Sequence, residues 1–166
     1  MTPSANLAEL LSNARAWEEG FQFKHLKTQP RRHLTILTCM DSRIFPNELF
    51  GLDEGDAHIV RNAGGIYTED VARSLAISQH MLETREIFVV QHTFCGLLAV
   101  TDEQVADRLE RETGQTPPWH AHAFTDLDAN VADTVAKIKA DPFIPHTENV
   151  SGFVYDVDSG NLRQVI

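Results

Sequence analysis

Cysteine is scarce and long hydrophobic runs are missing from this sequence, and each shortage excludes a class of protein. Two cysteines, Cys39 and Cys95, among 166 residues are too few for the disulfide framework of a small secreted domain. No stretch approaches the ~18 consecutive apolar residues that a membrane helix needs, and the N-terminus lacks the basic start and apolar run of a secretory signal. We therefore expect a cytoplasmic protein. A single Cys39–Cys95 disulfide is the alternative use of the two thiols.

Positive charge is also scarce relative to negative charge. Lys and Arg number 14 against 24 Asp and Glu, which gives a formal net charge of -10 at pH 7. A field of that sign repels phosphate backbones and anionic lipids, so we expect neither nucleic acid nor a membrane surface as a partner. The charge says nothing about small neutral ligands.

The composition that remains is that of one globular domain. The chain is 42% hydrophobic and 23% charged, with 9 Gly and 7 Pro, which excludes disordered, collagen-like and low-complexity proteins. A chain of this length can bury roughly 70% of the surface that its unfolded form exposes. Because no internal repeat or shift of composition divides it, we expect residues 1–166 to form a single domain.

Hydrophobic periodicity predicts alternating helices and strands. Helices are predicted over residues 4–20, 47–52, 69–83, 102–112 and 127–140, and strands over 34–39, 57–60 and 86–91. Strands that alternate with helices indicate an α/β fold with a central, mainly parallel β-sheet flanked by helices. The turn residues at 158–161 separate two alternating runs, 152–156 and 162–166, which predict a C-terminal antiparallel hairpin at the edge of the sheet.

The first predicted helix is amphipathic. Its apolar residues recur at helical spacing, as Leu7, Leu10, Leu11, Ala14 and Trp17. Ser4 or Asn6 suits the N-cap position, and Gly20 suits the end of the helix. A long loop joins this helix to the first strand, so the helix can reach a neighbouring molecule. Its apolar stripe would otherwise need covering within one subunit.

Three side chains that can bind a metal lie at the carboxyl ends of two predicted strands. Cys39 ends the first strand, and His92 and Cys95 follow the third. Open parallel sheets bind ligands beyond these strand ends, so the three side chains meet if the two strands are neighbours. Two sulfurs and one imidazole suit Zn²⁺, and three protein ligands leave a fourth position open for water, as in catalytic sites. The alternative is two small buried hydrophobic residues and a hydrogen-bonded histidine.

A carboxylate and a guanidinium follow the first of these residues. Asp41 and Arg43 can pair in a tight turn, with the Arg fork holding the carboxylate by two parallel hydrogen bonds. Beside a metal, the Asp41 carboxylate either ligates the ion or accepts a hydrogen bond from metal-bound water, and Arg43 favours the second by fixing its position. The alternative is a surface ion pair that contributes ~0–1 kcal/mol.

These residues belong to three sequence blocks that occur in a specific order. The blocks Cys39-x-Asp41-x-Arg43, Arg61-Asn62-Ala63-Gly64 and His92-x-x-Cys95-Gly96 resemble those of the β-class carbonic anhydrases. The resemblance implies that Cys39, His92 and Cys95 bind one Zn²⁺ per subunit. It assigns Asp41 and Arg43 as the catalytic pair. It also implies a homodimer or homotetramer in which the N-terminal helix packs on a partner subunit, with the active site near the dimer interface.

The activity implied by this resemblance is the hydration of a small linear molecule by zinc-bound hydroxide, with CO₂ conversion to bicarbonate as the first candidate. Zinc lowers the pKa of bound water, and Asp41 orients the hydroxide by accepting its proton in a hydrogen bond. The same family includes enzymes that hydrolyse carbonyl sulfide to CO₂ and H₂S, and this reaction is the alternative. A non-catalytic zinc or thiol redox protein is the remote alternative, and it would not need the Asp41–Arg43 pair.

One residue beside the ligands departs from the family pattern. Many short family members have Asp between the Thr and the Cys, where this sequence has Phe94. An apolar side chain there suits carbonyl sulfide, which is larger and less hydrophilic than CO₂. Phe94, Gly64 and Gly96 are therefore assigned to the substrate pocket. The alternative is that Phe94 packs in the core or in a subunit interface.

Two histidines and two glycines need separate interpretation. His120 and His122, near Trp119, are candidates for shuttling protons near pH 7, and the alternative is a solvated loop. Gly64 and Gly65 lack the GxGxxG or P-loop pattern of phosphate sites, so they indicate a close approach of the backbone near the metal.

Overall fold

A computed structural model describes residues 5–166, and the sheet within them has five strands. The strands are β1 (Leu34–Cys39), β2 (Ala57–Asn62), β3 (Glu86–His92), β4 (Val150–Tyr155) and β5 (Leu162–Gln164). The helices are α1 (Ala5–Glu19), α2 (Pro46–Phe50), α3 (Glu69–Leu82), α4 (Asp102–Thr113) and α5 (Leu127–Ala140). Each predicted helix and strand is found, with described ends that differ by at most two residues. None of the helices in residues 5–166 combines the length and the apolar character that crossing a bilayer requires.

The strand order of the sheet is β2-β1-β3-β4-β5. Strand β1 pairs in parallel with β2 and β3, and β3 pairs in parallel with β4. Strand β5 runs antiparallel to β4 at the edge. This confirms the predicted α/β fold with a mainly parallel sheet and a C-terminal antiparallel edge. Because β1 and β3 are neighbours, with Thr38 opposite Val90, their carboxyl ends lie at the same edge of the sheet.

The central strand β1 is buried on both faces because it lies between two parallel neighbours. All six of its residues are buried, and Ile36 and Leu37 belong to two separate core clusters. The cluster of Leu37 includes residues of α3 and α5. In the cluster of Ile36, the ring of Phe88 contacts the rings of Phe50 and Phe153. This two-sided core holds the carboxyl end of β1 in place.

Two helix ends show where the structure differs from the predicted bounds. Helix α2 ends at Phe50 because Gly51 follows in the left-handed conformation, with φ 60°, which suits glycine at a helix C-terminus. Of the two predicted N-caps of the first helix, Asn6 lies within α1, and Ser4 lies outside the described residues. Gly20 follows the last residue of α1, as predicted.

Helix α1 contributes little to the core of the subunit. The side chains of Leu10, Leu11 and Trp17 on its apolar stripe are 56%, 47% and 57% exposed. Just beyond the helix, the ring of Phe23 stacks on Trp17 with a centroid distance of 5.9 Å. These apolar side chains of α1 are therefore left largely uncovered within one subunit.

Candidate metal centre

The carboxyl ends of β1 and β3 bring together the three predicted metal ligands. Cys39 is the last residue of β1, His92 is the last residue of β3, and Cys95 follows after a short turn. The two Sγ atoms and a ring nitrogen of His92 all lie within 4.8 Å of one another, and all three residues are buried. A group of this size and composition can hold one metal ion.

A reversal of the chain at Phe94 brings Cys95 back beside His92. The N–H of Thr93 still donates to the carbonyl of Tyr155 at 2.9 Å, so the pairing with β4 continues to that point. Phe94 then takes a left-handed conformation with φ 55°, which costs a non-glycine residue on the order of 1–2 kcal/mol. Its side chain is 67% exposed, so burial of the ring within the subunit does not explain this conformation.

The imidazole of His92 has one nitrogen with a partner and one without. Its Nδ1 lies 2.9 Å from the carbonyl oxygen of Thr93, and because a carbonyl only accepts, Nδ1 carries the proton. Nε2 therefore has a free lone pair, is buried, and has no hydrogen-bond partner among residues 5–166. Leaving a buried polar atom unpaired is unfavourable, whereas a metal ion is a suitable partner for this nitrogen.

The two thiols also fit a cation. Their mutual hydrogen bond lowers the pKa of Cys39, which also accepts the N–H of Gly64 at Sγ, 3.3 Å away. The same hydrogen bond, together with burial, raises the pKa of Cys95. Without a cation, loss of both protons from the two adjacent buried thiols is unfavourable, because like charges at this distance repel each other. A bound Zn²⁺ would remove that restriction and take both as thiolates.

The backbone of residues 61–65 lies directly against the end of β1. Gly65 has φ +62°, and a Cβ at that position would lie 2.7 Å from the backbone nitrogen of Cys39, so only glycine permits this approach. Gly64 and Gly65 therefore approach the end of β1 closely, whereas the predicted metal beside them stays a prediction. From the end of β2, Arg61 donates to two carbonyls, from Nε to Cys39 at 2.9 Å and from Nη2 to Asp41 at 2.6 Å.

The Asp41–Arg43 pair lies beside the three candidate ligands. Arg43 donates from Nε to Asp41 Oδ1 at 2.9 Å and from Nη2 to Oδ2 at 2.7 Å, and its backbone N–H donates to Oδ1 at 2.9 Å. The side-chain hydrogen bonds from Arg43 hold the pKa of Asp41 well below its usual range, so the carboxylate is ionised. Asp41 Oδ2 lies 3.8 Å from His92 Nε2.

Arg43 also connects the two loops that carry the candidate ligands. Its Nη2 donates to the carbonyl of Phe94 at 3.2 Å, in addition to binding Asp41. The carbonyl of Phe94, a residue in the left-handed conformation, thus accepts the hydrogen bond that joins the turn after β3 to the turn after β1. The carboxylate of Asp41 is held between these two turns.

The three residues assigned to the substrate pocket occupy different places. Phe94 and Gly96 line one surface groove together with Cys95, and Leu98, Ala99 and Leu127 form apolar parts of its wall. A Cβ at Gly96 would meet no atom within 4 Å. Gly64 is buried, its backbone nitrogen lies 3.3 Å from Cys39 Sγ, and it does not line this groove.

The two linker histidines lie away from this groove. The rings of His120 and His122 are 6.3 Å apart, and His120 Nδ1 is 3.7 Å from the carboxylate of Asp102. His122 lines a separate cavity with Tyr67 and Asn130. Neither His120 nor His122 therefore lines the groove that contains Phe94, Cys95 and Gly96.

Within residues 5–166, Arg61 binds two backbone carbonyls of the site, and the sequence analysis did not identify this role. It appears there only as part of a motif, with no contact assigned. The position of Arg61 near the end of the strand next to β1 could have indicated this role, because Arg61 lies opposite Thr38 in the parallel register.

Comparison with known proteins agrees with this geometry. The family model described as carbonic anhydrase matches residues 34–162. β-Carbonic anhydrase 1 of Mycobacterium tuberculosis is 39% identical over 157 residues, which cover 95% of this chain and 96% of that protein. Carbon disulfide hydrolase of Saccharolobus solfataricus is 35% identical over 88% of this chain and 84% of that protein.

A solved structure gives the same result for the fold. The carbonic anhydrase of Streptococcus mutans superimposes with a TM-score of 0.91 and 38% identity, and the match covers 100% of both chains. The related proteins are enzymes of the lyase and hydrolase types. On these sequence and structural matches, which extend over almost the whole chain, the protein belongs to the β-carbonic anhydrase family.

Proposed function

We propose that this enzyme hydrates CO₂ to bicarbonate with one Zn²⁺ per subunit, held by Cys39, His92 and Cys95. The observation that carries the proposal is the buried His92, which has a ring nitrogen within 4.8 Å of two cysteine sulfurs and an Nε2 without a hydrogen-bond partner among residues 5–166. Two cysteine sulfurs and one imidazole nitrogen would hold the ion and leave it able to bind water. When bound, zinc supplies a hydroxide nucleophile from water near neutral pH.

Asp41 orients the nucleophile. Its carboxylate is ionised because of the hydrogen bonds from Arg43, and Oδ2 lies 3.8 Å from His92 Nε2. In this position Oδ2 would accept a hydrogen bond from the nucleophile and so orient the nucleophile toward the carbon of CO₂. Orientation of this kind lowers the activation barrier because the reacting atoms are already held in the reactive geometry.

Arg43 keeps Asp41 in this position. Two parallel hydrogen bonds from one planar guanidinium resist rotation of the carboxylate, and a further bond to the Phe94 carbonyl anchors the guanidinium itself. The carboxylate is therefore available as a hydrogen-bond acceptor and is kept from becoming a metal ligand.

Carbonyl sulfide hydrolysis, which gives CO₂ and H₂S, is the second candidate. Phe94 is 67% exposed at a groove that also contains Cys95, and an apolar wall favours the less hydrophilic gas. The carbon disulfide hydrolase relative, which is 35% identical, acts on another linear sulfur compound. Hydration of CO₂ is preferred because the relative at 39% identity is a β-carbonic anhydrase.

The deciding experiment measures kcat/KM for both gases on one zinc-loaded preparation. Proton release by stopped flow follows CO₂ hydration, and sulfide production follows carbonyl sulfide hydrolysis. We expect CO₂ to be the better substrate. Efficient sulfide production with CO₂ hydration near background would overturn the first proposal in favour of the second.

Phe94→Asp tests whether Phe94 contributes to the choice between the gases. We expect the ratio of the two kcat/KM values to shift toward CO₂ by about 10-fold, as for removal of one apolar contact. The matched control is Phe143→Asp, an exposed phenylalanine in another loop. An unchanged ratio in Phe94→Asp would show that the selectivity lies elsewhere.

The proposed enzyme is a homodimer or homotetramer in which α1 packs on a partner subunit. The exposure of Leu10, Leu11 and Trp17 supports this, because such an apolar stripe is unfavourable in water. Light scattering at micromolar concentration is expected to give at least a dimer, and a monomer would reject the proposal. Leu11→Glu should weaken the assembly, whereas Asn13→Glu on the same helix should not.

Membership of an enzyme family counts against the remote alternative of a non-catalytic zinc or thiol redox protein. The Asp41–Arg43 pair beside the candidate ligands counts against it, since neither role requires an oriented carboxylate. Zinc content does not separate these cases, whereas turnover does. The proposal also requires Cys39 and Cys95 as free thiols, which is consistent with a cytoplasmic location and excludes a native disulfide between them.

A further inference from the structure

The guanidinium of Arg61 binds two carbonyl groups that lie two residues apart. It donates from Nε to the carbonyl of Cys39 at 2.9 Å and from Nη2 to the carbonyl of Asp41 at 2.6 Å. A planar guanidinium with several N–H groups in a fixed arrangement can satisfy two acceptors at once, which the single ammonium of lysine does less well. The two carbonyls belong to the residues that carry the candidate sulfur ligand and the candidate acceptor carboxylate.

Besides Arg61, the turn is held by Arg43, which binds the Phe94 carbonyl, and by the buried side chain of Ile44. Met40, between the two carbonyls, is 68% exposed, so its side chain does not fix the turn by packing within the subunit. Backbone hydrogen bonds join Met40 N–H to Asn62 at 2.8 Å and Ile44 N–H to Asp41 at 3.1 Å. Arg61 therefore supplies two of the hydrogen bonds that tie the turn to the neighbouring strand.

The two arginines act on different parts of Asp41. Arg43 binds its carboxylate, and Arg61 binds its backbone carbonyl. The direction of the Asp41 carboxylate depends on both arginines. Even with the carboxylate bound to Arg43, a shift of the Asp41 backbone would change the direction of its side chain. A change of about 1 Å in the place of a reacting or orienting group can cost about 100-fold in rate.

We propose that Arg61 is a positioning residue that acts on turnover through Asp41, by holding the 39–41 turn against the end of β2. This deepens the proposed function and rests on it, because the effect on rate requires that Asp41 orients the nucleophile. Arg61 itself does not touch the substrate in this account.

The first test compares Arg61→Gln and Arg61→Lys with the control Arg73→Gln, which removes an exposed arginine paired to Asp70. With rates expressed per bound zinc, kcat for CO₂ should fall about 10- to 100-fold in Arg61→Gln. KM should stay within about twofold, because the turn contacts the nucleophile and not the gas. Arg61→Lys should fall between the wild type and Arg61→Gln. A kcat in Arg61→Gln equal to that of Arg73→Gln would overturn the proposal.

A double-mutant cycle tests whether the effect passes through Asp41. In an Asp41→Ala background, Arg61→Gln should change kcat by less than about twofold, because the carboxylate that it positions is gone. The same loss in both backgrounds would show that Arg61 acts by another route and would overturn the proposal.

A second readout needs no activity. In zinc-free protein, hydrogen exchange of the 39–44 turn should be faster in Arg61→Gln than in Arg73→Gln, while exchange of β3 should be unchanged. Equal exchange of the turn would reject the anchoring role. If the wild type had no CO₂ turnover, the proposed function would fail, whereas this measurement would still decide whether Arg61 holds the turn.

Discussion

The two ends of β1 each lie beside a polar cluster that contains a histidine, half-buried His58 at the amino end and buried His92 at the carboxyl end. The clusters differ in how completely their hydrogen bonds are satisfied. At the amino end, the Ser78 hydroxyl contacts Thr35 at 2.8 Å, Thr84 at 2.8 Å and Nδ1 of His58 at 2.7 Å. Nε2 of His58 donates to the carbonyl of Thr28 at 3.1 Å. With neutral His58, the serine donates to the imidazole and accepts from both threonines, so every polar side-chain atom has a partner.

At the carboxyl end, the cluster of Cys39, His92 and Cys95 is incomplete. One nitrogen of His92 donates to a carbonyl, and the other has no partner among residues 5–166. The Sγ atoms of the two cysteines lie within 4.8 Å of a ring nitrogen of His92. The fold satisfies both ring nitrogens of His58, on β2, and leaves Nε2 of His92, on β3, without a partner among residues 5–166. A histidine among polar side chains therefore does not by itself distinguish a functional cluster from a structural one. The unpaired Nε2 of His92 is the feature that indicates a functional cluster.

The largest expected effect comes from removing each histidine in turn. His92→Ala should lose its zinc, and turnover should fall to background. Mutating a residue that only hydrogen-bonds a metal ligand lowers metal affinity by about 10–100-fold, and removing the ligand itself should lower it further. His58→Ala should still bind one zinc per chain. Metal analysis of both purified variants makes the measurement. Stoichiometric zinc in His92→Ala, or its loss in His58→Ala, would break the comparison between the two clusters.

The next effect should appear in the pair that flanks the incomplete cluster. Asp41→Ala and Arg43→Ala should keep zinc and lose about 10²–10⁴-fold in kcat, because the nucleophile is no longer oriented. Asp128→Asn, which breaks an exposed ion pair with Arg163, is the control and should have wild-type activity. Turnover near that of the wild type in either variant would remove the pair from the mechanism.

A smaller effect, on stability alone, should mark the satisfied cluster. Ser78→Ala leaves the hydroxyls of Thr35 and Thr84 and Nδ1 of His58 without their shared partner, which should lower the free energy of unfolding by ~1–3 kcal/mol. Zinc content and kcat should not change. Urea denaturation measures the loss, and Ser74→Ala on the same helix is the matched control. A loss of zinc binding in Ser78→Ala would contradict the separation of the two clusters.

The smallest effect concerns pH at the amino end of the sheet. The N–H of Asp53 and then the guanidinium groups of Arg32 and Arg31 hold the pKa of Asp56 below its usual range. A depressed folded-state pKa adds stability above the unfolded value of about 3.9, and that stability is lost as the pH falls through the folded value. Wild-type protein should therefore be more stable than Asp56→Asn near pH 6, and the difference should shrink below about pH 4. A difference that is constant with pH would show that Asp56 acts through packing and not through its charge.

Local pattern was enough to predict most of the fold. The buried strand at 34–39 and the helices at 69–83 and 127–140 follow from periodicity and residue type, which depend on neighbours in the chain. The meeting of Cys39 with His92 required one further condition, that β1 and β3 be adjacent, and the parallel pairing of these strands meets it. Ends of elements, such as the stop of α2 before Gly51, depend on a single backbone conformation and were less well predicted.

The order of residues in the chain placed Cys39, His92 and Cys95 at strand ends, because alternation of strands and helices brings the carboxyl ends of parallel strands to one edge. The contacts that these groups make required the folded chain. The free nitrogen of His92, the left-handed Phe94 and the two carbonyls bound by Arg61 depend on atoms that packing brings together. The separation of His120 and His122 from the groove of Cys95 was decided in the same way. Periodicity reports the face of an element on which a side chain lies, whereas hydrogen bonds between distant residues depend on distances that only the folded chain defines.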